Sequence, residues 1–180
     1  MRQAKPGERM RWHAVIDRCP DATLGAELGV LRGTMSRELL NALPGLHLLL
    51  VDRWAEYPDE RKLKPSRVTR QTQEYFDEAL EECRCNVAPY SERVSFLRYD
   101  TVEASDHFDG ELDFVFVDAD HTYQGVIDDV TAWMSKVRKG GWILGHDYGS
   151  NRHKDVKRAV DKMFGRRVET DADDVWAVQL

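Results

Sequence analysis

Two short clusters carry the side chains best suited to chemistry, and both lie between Asp113 and Tyr148 in DFVFVDADHTYQGVIDDVTAWMSKVRKGGWILGHDY. Asp118 directly follows the apolar run FVFV, with Asp120 and His121 just beyond it, and His146 and Asp147 follow WIL and a glycine. If the two apolar runs are neighbouring parallel strands, Asp118 and Asp147 meet although 29 positions separate them. Two carboxylates in one crevice suit a hard divalent cation, which can also take a hydroxyl oxygen and lower its proton affinity. His146 can ligate such an ion, accept a proton or hydrogen-bond to its neighbour. Asp120 is placed to cap a helix near Thr122 and Tyr123, and His121 to orient its loop.

These groups need a scaffold, and the chain supplies alternating apolar runs and amphipathic segments. Strands are predicted over Leu24–Leu28, His47–Val51, Val94–Leu97, Leu112–Val117 and Trp142–Leu144, with a final antiparallel pair over Arg167–Glu169 and Val175–Val178. Helices are predicted from about Glu8 to Cys19, from Thr34 or Ser36 toward Leu43, from Gln71 to Cys83, around Val102–His107, along the Val126, Val130, Trp133, Val137 spacing, and over His153–Phe164. Lys139, Gly140 and Gly141 read as the turn that closes the fifth of these helices. The expected architecture is α/β: a Rossmann-like sandwich around a mostly parallel seven-stranded sheet with an antiparallel final strand.

The turn after the first strand, within GAELGVLRG, brings two glycines close to a helix start, as nucleotide binding requires. Gly29 and Gly33 stand four apart, so the strict dinucleotide fingerprint is absent. Asp52 ends the second strand where a carboxylate can accept hydrogen bonds from both ribose hydroxyls.

With AELGVLRG, LLLVD, FVFVDADHTYQG and RKGGWILGHDY in that order, the chain resembles the class I S-adenosylmethionine-dependent methyltransferases over about Ala22 to Leu180. It is most similar to the small cephalosporin-hydroxylase-like and metal-dependent O-methyltransferase groups. The resemblance implies that Glu27, Gly29, Gly33 and Asp52 position adenosylmethionine, that Asp100 and Thr101 lie near its adenine, and that Asp118 contributes to the same site. It further implies a metal pair of Asp118 and Asp147, aided by His146, holding Mg²⁺ or another divalent cation, with His146 and Asp147 as the catalytic residues. Tyr148 stands where the catechol-like branch often has asparagine, so this third ligand differs. The function implied is methyl transfer to a hydroxyl oxygen of a small molecule. A metal-independent N-methyltransferase and a noncatalytic adenosine-ligand-binding protein are the alternatives.

With 180 residues, the chain fits one methyltransferase domain over 1–180. A net charge of -6 gives no general pull toward nucleic acid, and no apolar run approaches membrane-spanning length. The start of the chain lacks a secretion signal, and Cys19, Cys83 and Cys85 match neither a metal knuckle nor an even disulfide framework. A cytoplasmic location and a possible homodimer are therefore expected. Residues 53–70 read as a substrate-facing loop in which Arg61, Lys62, Lys64, Arg67 and Arg70 could hold an anion. Trp54, Tyr57 and Tyr148 are candidate aromatic walls for the acceptor, with His153 reaching in from the following helix.

Overall fold

The computed structural model describes residues 9–57 and 68–180. Strands β1 (Leu24–Leu28), β2 (His47–Val51), β3 (Val94–Leu97), β4 (Leu112–Val117), β5 (Val137–Gly145), β6 (Glu169–Asp171) and β7 (Val175–Gln179) form one sheet in the order β3-β2-β1-β4-β5-β7-β6. The first five run parallel to one another, and β7 runs antiparallel to both β5 and β6. This is the mostly parallel seven-stranded α/β sandwich predicted from the sequence.

Because side chains alternate across a strand, each central strand feeds two cores. On one face Phe114 and Phe116 of β4 and Leu48 and Leu50 of β2 pack against α1 (Arg11–Arg18), α2 (Thr34–Ala42) and α3 (Gln73–Val87). On the other, Val115 and Val117 of β4 and Leu49 and Val51 of β2 meet α4 (Thr101–Asp106), α5 (Tyr123–Met134) and α6 (Lys154–Phe164). None of these helices is long and apolar enough to cross a membrane.

Several boundaries differ from the sequence reading, among them the sixth strand, expected over Arg167–Glu169 and found at Glu169–Asp171 after a 3-10 turn over Gly165–Arg167. The helix expected to start near Glu8 begins at Arg11, and Glu8 lies outside the described residues. Thr72 accepts the Tyr75 amide and starts α3, which runs four residues past Cys83 before a 3-10 turn that begins at Ala88 with Pro89 next to it. Val137 belongs to β5 and not to α5: it pairs with Leu112, while Trp142 pairs with Phe114. Lys139 to Gly141 therefore form a bulge inside a strand, with Gly140 at φ +79°, and are not the exit from a helix. Val137 is buried under either reading, so apolar spacing alone could not separate the two.

Candidate active site at the strand ends

The hydrogen-bond ladder runs one residue beyond the last paired register of the central strands. The Gly29 amide donates to Val51 O, the Asp118 amide to Leu28 O, the His146 amide to Val117 O and the Asp52 amide to Leu97 O. Gly29, Asp52, Asp118 and His146 therefore stand side by side at the carboxyl edge of the sheet, where open α/β folds bind ligands.

Gly29 has φ +86°, and a Cβ there would lie 2.2 Å from the Asp118 carbonyl oxygen. The turn after β1 thus rests directly on the backbone that presents Asp118, a contact that only glycine permits. Gly33, at φ +68°, begins α2, and a Cβ there would meet Cys83 Sγ of α3 at 2.6 Å. Between them Leu31 adopts a left-handed φ of 52° and is clamped from both sides. Its amide donates to Asp52 Oδ2 at 2.9 Å and its carbonyl accepts from Trp54 Nε1 at 2.7 Å. The other Asp52 oxygen accepts the Trp54 amide at 2.9 Å. Asp52 thus braces the glycine turn, and burial, only partly offset by these backbone bonds, raises its pKa.

Trp54, proposed as an acceptor wall, is fully buried and serves as this brace. Glu27, one strand position before Leu28, is also buried, and its Oε2 accepts the Ser36 hydroxyl at 2.6 Å. Burial, reinforced by Asp118, pushes its pKa up to about 8 against the opposing Ser36 bond.

At the β3 end, Asp100 stands at the N-terminal boundary of α4 without a side-chain capping bond and lies 3.7 Å from Arg53 Nη1. The Thr101 hydroxyl donates to Asp129 of α5, and the Thr101 carbonyl accepts from Trp133 Nε1 at 2.7 Å. Thr101 therefore ties α4 to α5, and burial pushes the Asp129 carboxyl up to about 7 despite that bond. Tyr57 packs on Phe76 and Arg53, and Tyr148 bonds Asp161 and Lys157 of α6. Residues 58–67 of the expected substrate-facing loop lie outside the described residues, and Arg61, Lys62, Lys64 and Arg67 with them.

Adjacent parallel pairing of β4 and β5 brings the two acidic clusters together. Asp147 adopts a left-handed φ of 63°, which a short polar side chain tolerates better than most. Its Oδ2 lies 2.8 Å from His121 Nε2 and 3.3 Å from His146 Nδ1. Asp118 Oδ1 lies 3.3 Å from the same His121 nitrogen and 3.7 Å from His146 Nδ1. The His153 ring, at the start of α6, sits 4.3 Å from that of His121. Burial alone would lower the His121 pKa, but its bonds to Asp118 and Asp147 outweigh burial and raise it to about 10. The same bonds, from His121 and His146, overcome burial at Asp147 and hold its carboxyl far below the usual range. Burial, with His121 close by, lowers the His153 pKa. Asp120, expected to cap this helix, instead accepts the Thr122 amide one step earlier, and Thr122 is the residue that caps α5 by accepting the Gly125 amide.

Sequence reasoning missed Arg11. Its Nη1 hydrogen-bonds Asp118 Oδ2, its amide donates to Asp173 Oδ2 at 3.2 Å, and its Nε lies 3.5 Å from the same oxygen. Arg11 thereby fixes one oxygen of Asp118 and leaves Oδ1 facing the histidines. Its only sequence signal was an arginine in the first turn of an amphipathic helix, far from the motifs it serves. Beside the cluster, Asp118, His121 and His146 line a cavity of ≈ 10 Å³, about the room one water or ion needs. A wider cleft of ≈ 320 Å³ between Pro20 and Gly45 lies at the amino ends of β1 and β2, on the edge away from this chemistry.

Residues 26–148 match the model of a family described as a methyltransferase domain, which spans both the glycine turn and the acidic clusters. The chain belongs to this methyltransferase family. Its sheet has the class I arrangement, and solved structures repeat it. The O-methyltransferase NovP is 22% identical, with a TM-score of 0.63, over 93% of this chain and 75% of that one. The O-methyltransferase TomG from Streptomyces achromogenes, solved in complex with SAM, is 15% identical, with a TM-score of 0.62, over 93% and 77%. An uncharacterised protein of Acanthamoeba polyphaga mimivirus is 42% identical over 53 residues, which are 29% of this methyltransferase and about a quarter (24%) of that protein's length.

Proposed function

We propose that this methyltransferase moves the methyl group of S-adenosylmethionine to a hydroxyl oxygen of a small molecule, with a divalent cation at Asp118 and Asp147. The observation that carries the reading is the placement of the β1 glycine turn directly on the Asp118 backbone, which sets a donor cradle beside an acidic, histidine-rich centre. The family match and the SAM complex of TomG support the donor, and the names of NovP and TomG support oxygen as the acceptor.

Gly29 and Gly33 would admit the donor to backbone amides, and Asp52, already accepting the Leu31 and Trp54 amides, would meet the ribose hydroxyls with its remaining acceptor capacity. Asp118 would supply negative charge near a sulfonium, Glu27, which keeps its proton up to about pH 8, would offer a hydrogen bond, and Asp100 and Thr101 would border the adenine end. Two anionic oxygens with imidazoles beside a cavity of one-ion size fit a divalent cation such as Mg²⁺. Such an ion would lower the proton affinity of the acceptor hydroxyl. Transfer is an in-line displacement: the oxygen–carbon bond forms as the carbon–sulfur bond breaks, and the sulfonium leaves as a neutral thioether. His146 accepts the hydroxyl proton, its ring lying at the strand end with Nδ1 3.3 Å from Asp147 Oδ2. The acceptor side takes a small molecule, and a homodimer is the assembly this reading carries.

The test is calorimetric titration of the metal-free protein with adenosylmethionine, with NAD at equal concentration as the comparison. One-to-one adenosylmethionine binding without NAD binding is expected, followed by labelled methyl transfer to members of a hydroxyl-acceptor panel that fails in His146→Ala. Folded protein that ignores adenosylmethionine with and without divalent ions would sink the proposal.

A further inference from the structure

Two overlapping triads meet in the strand-end cluster. Donor atoms of Asp118, His146 and Asp147 lie within 4.8 Å of one another, and so do those of His121, Asp147 and His153. The second triad was invisible in the sequence, where no two-histidine, one-carboxylate pattern stands at a recognisable spacing. Its members come from three places: the loop after β4, the residue two past the end of β5, and the start of α6. Folding alone brings two imidazoles onto one carboxylate.

We infer that His121, Asp147 and His153 form a metal seat that takes a borderline transition ion, of the Mn²⁺, Fe²⁺, Co²⁺, Ni²⁺ or Zn²⁺ class, in preference to Mg²⁺. The inference sharpens the cation of the proposed function and rests on that reading for the ion's purpose, but not for its binding. Ligands held about 2.0–2.2 Å from one centre stand roughly 2.8–3.6 Å apart. The 2.8 Å between His121 Nε2 and Asp147 Oδ2 matches such an edge, and a ring nitrogen of His153 lies within 4.8 Å of a donor atom of each. Mg²⁺ favours oxygen donors in a near-ideal octahedron and keeps much of its water, whereas imidazole suits the later divalent ions. A seat with two imidazoles and one carboxylate discriminates by donor type, since both ions carry the same charge. Arg11 holds Asp118 Oδ2 and leaves Oδ1 3.3 Å from His121 Nε2, so Asp118 acts on the seat as an outer partner that orients a ligand.

A histidine–aspartate network that only staples loops is the competing account, and metal binding separates the two. Metal-free full-length protein is titrated with Co²⁺, whose visible ligand-field absorption reports nitrogen and oxygen donors in direct contact. The expected result is one saturable equivalent, bleached by Zn²⁺ and left intact by a hundredfold excess of Mg²⁺. His121→Gln and His153→Ala should each weaken Co²⁺ binding at least about tenfold. His47→Ala, whose ring bonds Ser95 at the opposite end of the sheet, should leave it unchanged. His153 is half-buried and makes no capping bond to α6, so its variant can lose the metal without losing the fold. Absent Co²⁺ absorption, displacement by equimolar Mg²⁺, or wild-type Co²⁺ affinity in both folded histidine variants would each overturn the inference. Adenosylmethionine titrated into the same samples reads the proposed function separately. Donor binding with no Co²⁺ site refutes the metal seat alone; a Co²⁺ site with no donor binding upholds the seat and refutes methyl transfer.

Discussion

Glu27 shows how a single buried residue contributes to the pH response of the fold. Its carboxyl has a pKa near 8 in the folded state because burial opposes ionisation, against 4.5 as the ordinary value. The folded protein therefore holds a proton between about pH 4.5 and 8 that the unfolded chain releases, and this group's contribution to stability falls as pH rises through that window. Glu27→Gln removes the dependence. Urea unfolding at pH 5, 6, 7 and 8 should show the variant gaining on the wild type by up to about 1.4 kcal/mol per pH unit; parallel pH profiles would refute the assignment. Arg11 makes a second residue-scale prediction. Arg11→Ala leaves Asp118 and Asp173 without a partly buried partner, and should cost about 1–3 kcal/mol in urea unfolding. Arg11→Lys should recover only part of that loss, because an ammonium cannot span the two acids with a planar fork.

The glycine turn after β1 is the element on which the site depends. It is shaped by four constraints: the left-handed Gly29, its contact with Asp118 O, the Asp52 bond to Leu31 and the Trp54 bond to the same residue. Gly29→Ala meets both backbone strain and a clash of carbonyl with methyl, and should destabilise the protein by at least about 2–4 kcal/mol while abolishing adenosylmethionine binding. Gly45→Ala, where an added Cβ meets nothing within 4 Å, should stay within about 0.5 kcal/mol of wild type. Thermal melts and calorimetry of the pair check this, and equal behaviour of the two variants would refute the close packing.

For the molecule as a whole, the seven-stranded sheet is a rigid platform whose carboxyl edge gathers side chains from every layer. Donor binding to that edge should stabilise the entire fold. Adenosylmethionine at about 100 times its dissociation constant contributes about 2.7 kcal/mol. At roughly 2–4 °C per kcal/mol for a chain of this size, the melting temperature should rise by about 5–11 °C. A thermal-shift series with adenosylmethionine, NAD and buffer reads the effect, and a shift with NAD of the same size would count against donor selectivity.

Much of this was legible in the sequence because local patterns carried it. Apolar runs gave β1, β2, β3 and β4 their observed bounds, and the order of AELGVLRG, LLLVD, DADH and GHDY gave the family. The meeting of Asp118 with Asp147 followed from one topological rule about adjacent parallel strands. What tertiary structure decided was which groups converge across elements. Val137 satisfied both the helical and the strand period, so only its pairing with Leu112 placed it in β5. Trp54 read as a candidate acceptor wall until the fold buried it against Leu31. Arg11 sits far from the acidic motifs along the chain, and only the packing of α1 over the strand ends brings a guanidinium to Asp118; His153, expected to reach toward the acceptor, is brought by α6 against His121 instead. Periodicity reports which face of an element is buried; the partner waiting there is set by the path of the rest of the chain.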